Sequence, residues 1–135
     1  MNDLPTRECD PLQIKRCGQL KLDHIPRFSG LAVDVVHVIR EFGRIDGLVN
    51  NAGVVDVTAR VEEFDRARLD RMFAVNVIGK IRCATEAVKR MSTKHGGQGG
   101  VIVNMSSMAA KLGGPFDCID YAASKGGVES MTVGM

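Results

Sequence analysis

The sequence predicts an α/β fold, a partial doubly wound parallel sheet represented by its central strands and helices. Three observations carry this reading. A mostly apolar helical stretch ends at Gly43 and is followed, after a short loop, by an apolar strand through Leu48 and Val49. A long segment from about 65 to 94 repeats apolar residues at steps of three and four, the spacing of one buried helix face. A second apolar run, Val101-Ile102-Val103-Asn104-Met105, comes after it. Strands joined through a crossover helix lie parallel in one sheet, and consecutive elements are usually neighbours.

Residues 1 to about 30 stay unassigned, open to disorder or to a start unrelated to the rest. Leu12-Gln13-Ile14 and Leu20-Lys21-Leu22 alternate weakly around Cys17-Gly18, which allows a hairpin. Pro5, Pro11 and Pro26 interrupt anything longer. Residues 31–135 form the domain. Val35, Val36, Val38, Ile39 and Phe42 make its first helical stretch, with Gly43 placed to cap it. The strand through Leu48 and Val49 ends at Asn50 and turns at Asn51-Ala52-Gly53. Strand ends of this kind are where ligands sit in open parallel sheets.

Residues 54–64 read as a loop, and Asp65 as the N-cap of a helix running to Lys94. Leu69, Met72, Phe73, Val77, Ile81, Ala84, Val88 and Met91 define its buried stripe. Val75, Val77 and Ile78 flank Asn76, so the helix is expected to be buried all round at that point. A buried Asn must then find hydrogen-bond partners. Gly96-Gly97-Gln98-Gly99-Gly100 precedes a strand, whereas phosphate-cradling loops follow one and open a helix, so it reads as a linker. The strand from Val101 delivers Ser106 and Ser107. Gly113-Gly114-Pro115 leads on to a helix beginning near Tyr121. Gly126 and Gly127 inside that helix cost about 1 kcal/mol each relative to Ala, which suits a backbone that must approach something closely.

Composition narrows the function. Lys and Arg number 18 against 16 Asp and Glu, a net charge of +2, and no basic run stands out. Nothing in this balance argues for nucleic acid or an anionic membrane. No apolar run approaches the roughly 18 residues that suggest a membrane span, and Met1-Asn2-Asp3-Leu4-Pro5 lacks the order of a secretory signal. Cys9, Cys17, Cys83 and Cys118 have no paired short spacing. They read as thiols of a reducing, cytoplasmic setting rather than metal ligands or a disulfide framework. His24, His37 and His95 are scattered, and no metal site is expected.

The chemistry begins at Tyr121-Ala122-Ala123-Ser124-Lys125. Residues four apart share one helix face, which sets the Lys beside the Tyr. A phenol with its ordinary pKa of about 10 is a poor proton-transfer group at neutral pH. A cation held next to it favours the phenolate, as a general acid/base requires.

Asn50-Asn51-Ala52-Gly53 after one strand, Asn76 within Val75-Asn76-Val77-Ile78-Gly79, Ser107 closing Val103-Asn104-Met105-Ser106-Ser107, and Tyr121 with Lys125 follow in a specific order. By these residues, 31–135 resembles the middle of a short-chain dehydrogenase/reductase. Lys111-Leu112-Gly113-Gly114-Pro115 leading to Asp120-Tyr121 is most similar to bacterial sugar or 3-oxoacyl reductases. The resemblance implies a Rossmann-type fold, NAD or NADP as cofactor, and a small-molecule carbonyl or alcohol substrate. It also implies pairing of chains through the helices at 65–94 and 119–134. It assigns proton transfer to Tyr121, support of Tyr121 and the nicotinamide ribose to Lys125, and the carbonyl hydrogen bond to Ser107, with Ser106 a second candidate. Asn76 would anchor a water that relays protons to Lys125. Asn51, Ala52 and Gly53, with Tyr121 and Lys125, would contact the cofactor.

Against that pattern the chain is expected to be cut short at both ends, without the family's first three strands and without the strand and Pro-Gly loop that follow the Tyr-Lys helix. Its glycines before Asn50 are Gly18, Gly30, Gly43 and Gly47, and none has the Thr-Gly-x3-Gly-x-Gly spacing of the family's pyrophosphate turn. The expectation is therefore a partial reductase. The alternative is a non-catalytic remnant that serves only to pair with another chain or has no function.

Overall fold

The computed structural model describes residues 38–115 and 117–135. The hairpin considered for the first 30 residues, and Val35 and Val36 of the first helical stretch, lie outside these. Residues 38–42 are helical. Gly43 ends that turn with φ of 76° and an N–H donated to the Ile39 carbonyl at 2.8 Å. This is the left-handed cap that glycine adopts without steric cost.

Strand β1, Gly47–Asn50, pairs in parallel with β2, Val101–Asn104. The register sets Leu48 against Ile102, Val49 against Val103 and Asn50 against Asn104. Side chains alternate between the faces of a strand. Leu48, Ile102, Asn104 and the buried Asn50 therefore share one face, against which helices pack. Val49 and Val101 point the other way and are each 64% exposed.

Between the strands runs α1, Arg66–Phe73, then a π-helical turn, Ala74–Gly79, then α2, Lys80–Met91. Asp65 is the N-cap, its carboxylate accepting the Arg68 N–H at 2.7 Å. After β2 come the short helix α3, Ala109–Leu112, and α4, Ile119–Gly134, which carries Tyr121 and Lys125. Helix α4 packs on α1, the π turn, α3 and β2, while α2 packs on β1. The resulting core is built of Met72, Ala84, Ala87, Met91, Ala122 and Val128. Small residues let these helices approach closely.

Several expectations need correction. The helix expected from 65 to 94 is not one regular helix: the π turn interrupts it, α2 ends at Met91, and Thr93–His95 is a separate 3-10 turn. The inserted turn shifts the phase of the buried face. Ile81 and Val88 of the expected stripe are thereby 44% and 40% exposed, while Lys80 and Ala87 face inward. The surroundings of Asn76 are not buried on every side either, because Ile78 is 47% exposed. The loop 54–64 contains a 3-10 turn at Val61–Glu63, and the Tyr-bearing helix starts two residues before Tyr121. Of the two helical glycines, a Cβ at Gly127 would meet Val77 at an ordinary 3.5 Å and one at Gly126 would meet nothing within 4 Å. Neither marks the close approach expected of it.

Candidate active site

The parallel register brings the two strand ends side by side, and with them the turn 51–53 and the serines 106–107. The Asn50 and Asn104 side chains hydrogen-bond across the pair at 2.8 Å. Asn104 in turn donates to Thr132 of α4 at 3.0 Å, so the strand ends and the Tyr-Lys helix are tied through amides.

Asn76 is fully buried, and both polar atoms of its side chain are hydrogen-bonded. Its Oδ1 accepts the Val54 N–H at 2.7 Å and its Nδ2 donates to the Val54 carbonyl at 2.8 Å. The same Nδ2 reaches Ser124 Oγ at 3.0 Å and Met72 Sδ at 3.1 Å. A two-point clamp on one residue fixes the chain just after the Asn51-Ala52-Gly53 turn. Gly53 is close to both partners of the site: a Cβ there would lie 3.2 Å from Asn76 Oδ1 and 3.6 Å from Lys125 Nζ. The turn, the π segment and the Tyr-Lys helix therefore meet at Gly53.

Lys125 is buried, its Nζ 5.5 Å from the centre of the Tyr121 ring and donating to the Met105 carbonyl at 2.9 Å. An ammonium has three donors, and among the described residues one of them is engaged, by the Met105 carbonyl. Tyr121 is half-buried, while Asn51, Ala52 and Gly53 are exposed. The two serines differ in what their hydroxyls do. Ser106 donates to Glu129 Oε1 at 3.1 Å, with the Lys125 carbonyl at 3.4 Å. Ser107 instead accepts from the Ala109 N–H at 3.2 Å and keeps its proton to give. That contact is within its own loop, so Ser107 is placed next to the strand end without being bonded to Tyr121 or Lys125.

Four charged or polar residues of the site were not singled out in the sequence. Ser124 is fully buried, and its hydroxyl donates to the Tyr121 carbonyl at 2.7 Å while accepting from Asn76. Lys80 is buried with its ammonium on the Asn50 carbonyl. Burial lowers its pKa to about 8, and the charge of Lys125 pushes the same way. Arg68 and Asp120 form an ion pair at 2.7 Å with side chains 10% and 0% exposed. Burial alone pushes the Asp120 carboxyl up, but the Arg68 hydrogen bond and the Tyr121 N–H outweigh it and hold the group below its usual range. No sequence signal points to Lys80, which joins 76, 84, 87 and 91 on one face only once the π turn is in place. Arg68 and Asp120 had none, being 52 positions apart.

Among the described residues no cluster of His, Cys, Asp or Glu could hold a metal ion. No described helix is long and apolar enough to cross a membrane. Cys118 carries a free thiol.

A parallel α/β unit with a Tyr-x3-Lys helix against the strand ends defines a dehydrogenase-type domain. Residues 30–135 match the family model described as short chain dehydrogenase, and the chain belongs to that family. It is 49% identical over 88 residues to the uncharacterized oxidoreductase YgfF of Escherichia coli K12, covering 65% of this chain and 36% of that protein. In structure it is similar to acetoin dehydrogenase YohF from Salmonella typhimurium, with a TM-score of 0.72, 29% identity, and 81% and 42% of the two chains covered. It is also similar to an NAD+-bound xylitol dehydrogenase, with a TM-score of 0.68, 33% identity, and 76% and 38% covered. The chain thus spans well under half the length of the proteins it matches.

Proposed function

We propose that this chain carries the proton-transfer half of a nicotinamide-dependent oxidoreductase that interconverts a small carbonyl compound and a secondary alcohol. The convergence of Gly53, Asn76 and Lys125 beside the Tyr121 ring is the observation that supports this reading most.

The residues fit a nicotinamide ribose. Gly53 keeps the space that a Cβ would fill, and Lys125 is the donor proposed for the ribose hydroxyls. When bound, NAD or NADP supplies or takes up the hydride. Tyr121 gives its phenolic proton to the substrate oxygen in reduction and takes one in oxidation. The Lys125 ammonium stands 5.5 Å from the centre of the ring on which the negative charge is left. Ser107 donates to the same oxygen as negative charge grows there, which is where a preorganised donor helps most. The Ser106 proton is already given to Glu129, and this favours Ser107 for the role. The Asn76 amide already bonds Val54 and Ser124, which leaves it less capacity for a relay water. The Asn76 main chain, within the π turn, is the other candidate, and π turns are frequent at functional sites. A cytoplasmic location belongs to the same reading.

A second reading is favoured by α2 and the π turn. Ile78, Ile81 and Val88 are exposed at helical spacing and would pair chains through these helices, with α4 as the other expected contact. Titration with NADH and with NADPH, followed by nicotinamide fluorescence, tests the first reading. A saturable change supports it, and no change at millimolar cofactor, with a folded chain, rejects it. Sedimentation of the same sample tests the second.

A further inference from the structure

We propose that Arg68 is a positioning residue that latches the start of the Tyr-Lys helix to the loop following the Asn51-Ala52-Gly53 turn, so that both walls of the site move as one body. The inference rests on the oxidoreductase reading for its meaning, though not for its geometry.

The guanidinium is a rigid fork, and here each part of it has a partner. Nε donates to Asp120 Oδ2 at 2.7 Å and Nη2 to Asp120 Oδ1 at 3.3 Å. Nη1 donates to the Val57 carbonyl at 2.8 Å. The Phe64 ring lies 4.5 Å beneath the guanidinium carbon. Arg68 thus joins α1, the loop 54–64 and the first turn of α4. A backbone bond runs parallel to it, from the Ala59 N–H to the Asp117 carbonyl at 3.2 Å.

Both ends of the latch are fixed. Asp65 caps α1 by accepting the Arg68 N–H itself, so the side chain leaves from a held backbone. Asp120 Oδ1 accepts the Tyr121 N–H at 2.9 Å, which places the anion in the first turn of α4, where the helix dipole also favours it. A force on Arg68 is therefore passed to the backbone of Tyr121 through one carboxylate. A buried ion pair is weak evidence for net stability, and an apolar pair would fill the same space. What the apolar pair could not supply is direction, because the fork bonds to Val57 and Asp120 at once.

Tyr121 is the sole tyrosine of a chain without tryptophan, so near-ultraviolet circular dichroism of the full chain reads its surroundings directly. The test compares Arg68→Met, Arg68→Lys and the double variant Arg68→Met with Asp120→Asn, which keeps an acceptor for the Tyr121 N–H, using far-ultraviolet dichroism as the measure of fold. The double variant leaves no orphaned charge and keeps the test open if Arg68→Met alone does not fold. The expected result is native helix content with an altered Tyr121 signal in the double variant and in any folded Arg68→Met. Half-saturation by NADH or NADPH should rise about tenfold or more, equivalent to about 1.4 kcal/mol. Arg68→Lys, a charge without the fork, should fall between. An unchanged Tyr121 signal in the folded double variant would overturn the proposal. If the unaltered chain fails to bind nicotinamide, the oxidoreductase reading falls, and the Tyr121 signal still decides the latch.

Discussion

Asn76 Nδ2 donates to Ser124 Oγ at 3.0 Å, with both side chains excluded from solvent. The two residues are 48 positions apart, and their bond fastens the π turn to the Tyr-Lys helix. Ser124 passes the hydrogen-bond chain to the Tyr121 carbonyl. Removing the hydroxyl in Ser124→Ala should cost about 1–3 kcal/mol, the range for leaving a buried donor less well satisfied. Asn76→Ala should cost more, because it also frees both backbone groups of Val54. Urea unfolding midpoints at matched m-values measure both, and a Ser124→Ala midpoint equal to that of the parent would contradict the assignment.

The Tyr121 and Lys125 side chains separate binding from proton transfer. Tyr121→Phe removes only the hydroxyl and should keep the nicotinamide fluorescence response while abolishing oxidation of NADH or NADPH with carbonyl compounds. Lys125→Met should lose both, since it removes the donors proposed for the ribose and the charge beside the ring. Gly53→Ala should weaken the response alone, its methyl crowding Asn76 Oδ1 at 3.2 Å.

The serines offer a direct contrast. Ser107→Ala should lower turnover by about 10²–10³, as loss of one donor to a developing oxyanion does, with the nicotinamide response unchanged. Ser106→Ala should act through Glu129 and α4, and so show itself in stability. Steady-state kinetics with either cofactor distinguish the two, and equal losses of turnover would reject the choice of Ser107.

Lys80 gives the fold a pH dependence with a definite sign. Its folded pKa is lowered to about 8 from an unfolded value of 10.5. Between these values the unfolded chain holds more protons, so this residue makes stability rise as pH increases. Below about pH 8 both states are protonated and its contribution is flat, at its least favourable. The parent should therefore gain stability between pH 8 and 10.5 relative to Lys80→Met, in which that component of the slope is missing. Urea midpoints across the range read the difference.

The sequence by itself determined the order of the main elements and singled out the residues proposed here for the chemistry. Gly43 as a helix end, Asp65 as a cap, the two strands and the Tyr-x3-Lys spacing are local facts, fixed by neighbours within a few residues. In the stretch 96–100, read from the sequence as a linker, Gly96 and Gly99 supply left-handed turns. Tertiary structure alone decided the rest. Within the π turn at Ala74–Gly79, Asn76 reaches across to Val54 and Ser124, and after it Lys80 is buried while Ile81 is exposed. Arg68 and Asp120 become partners only once α4 lies on α1. Hydrogen bonds between residues some 50 positions apart leave no periodic trace in the chain, and so packing, rather than pattern, chose which polar side chains would be buried.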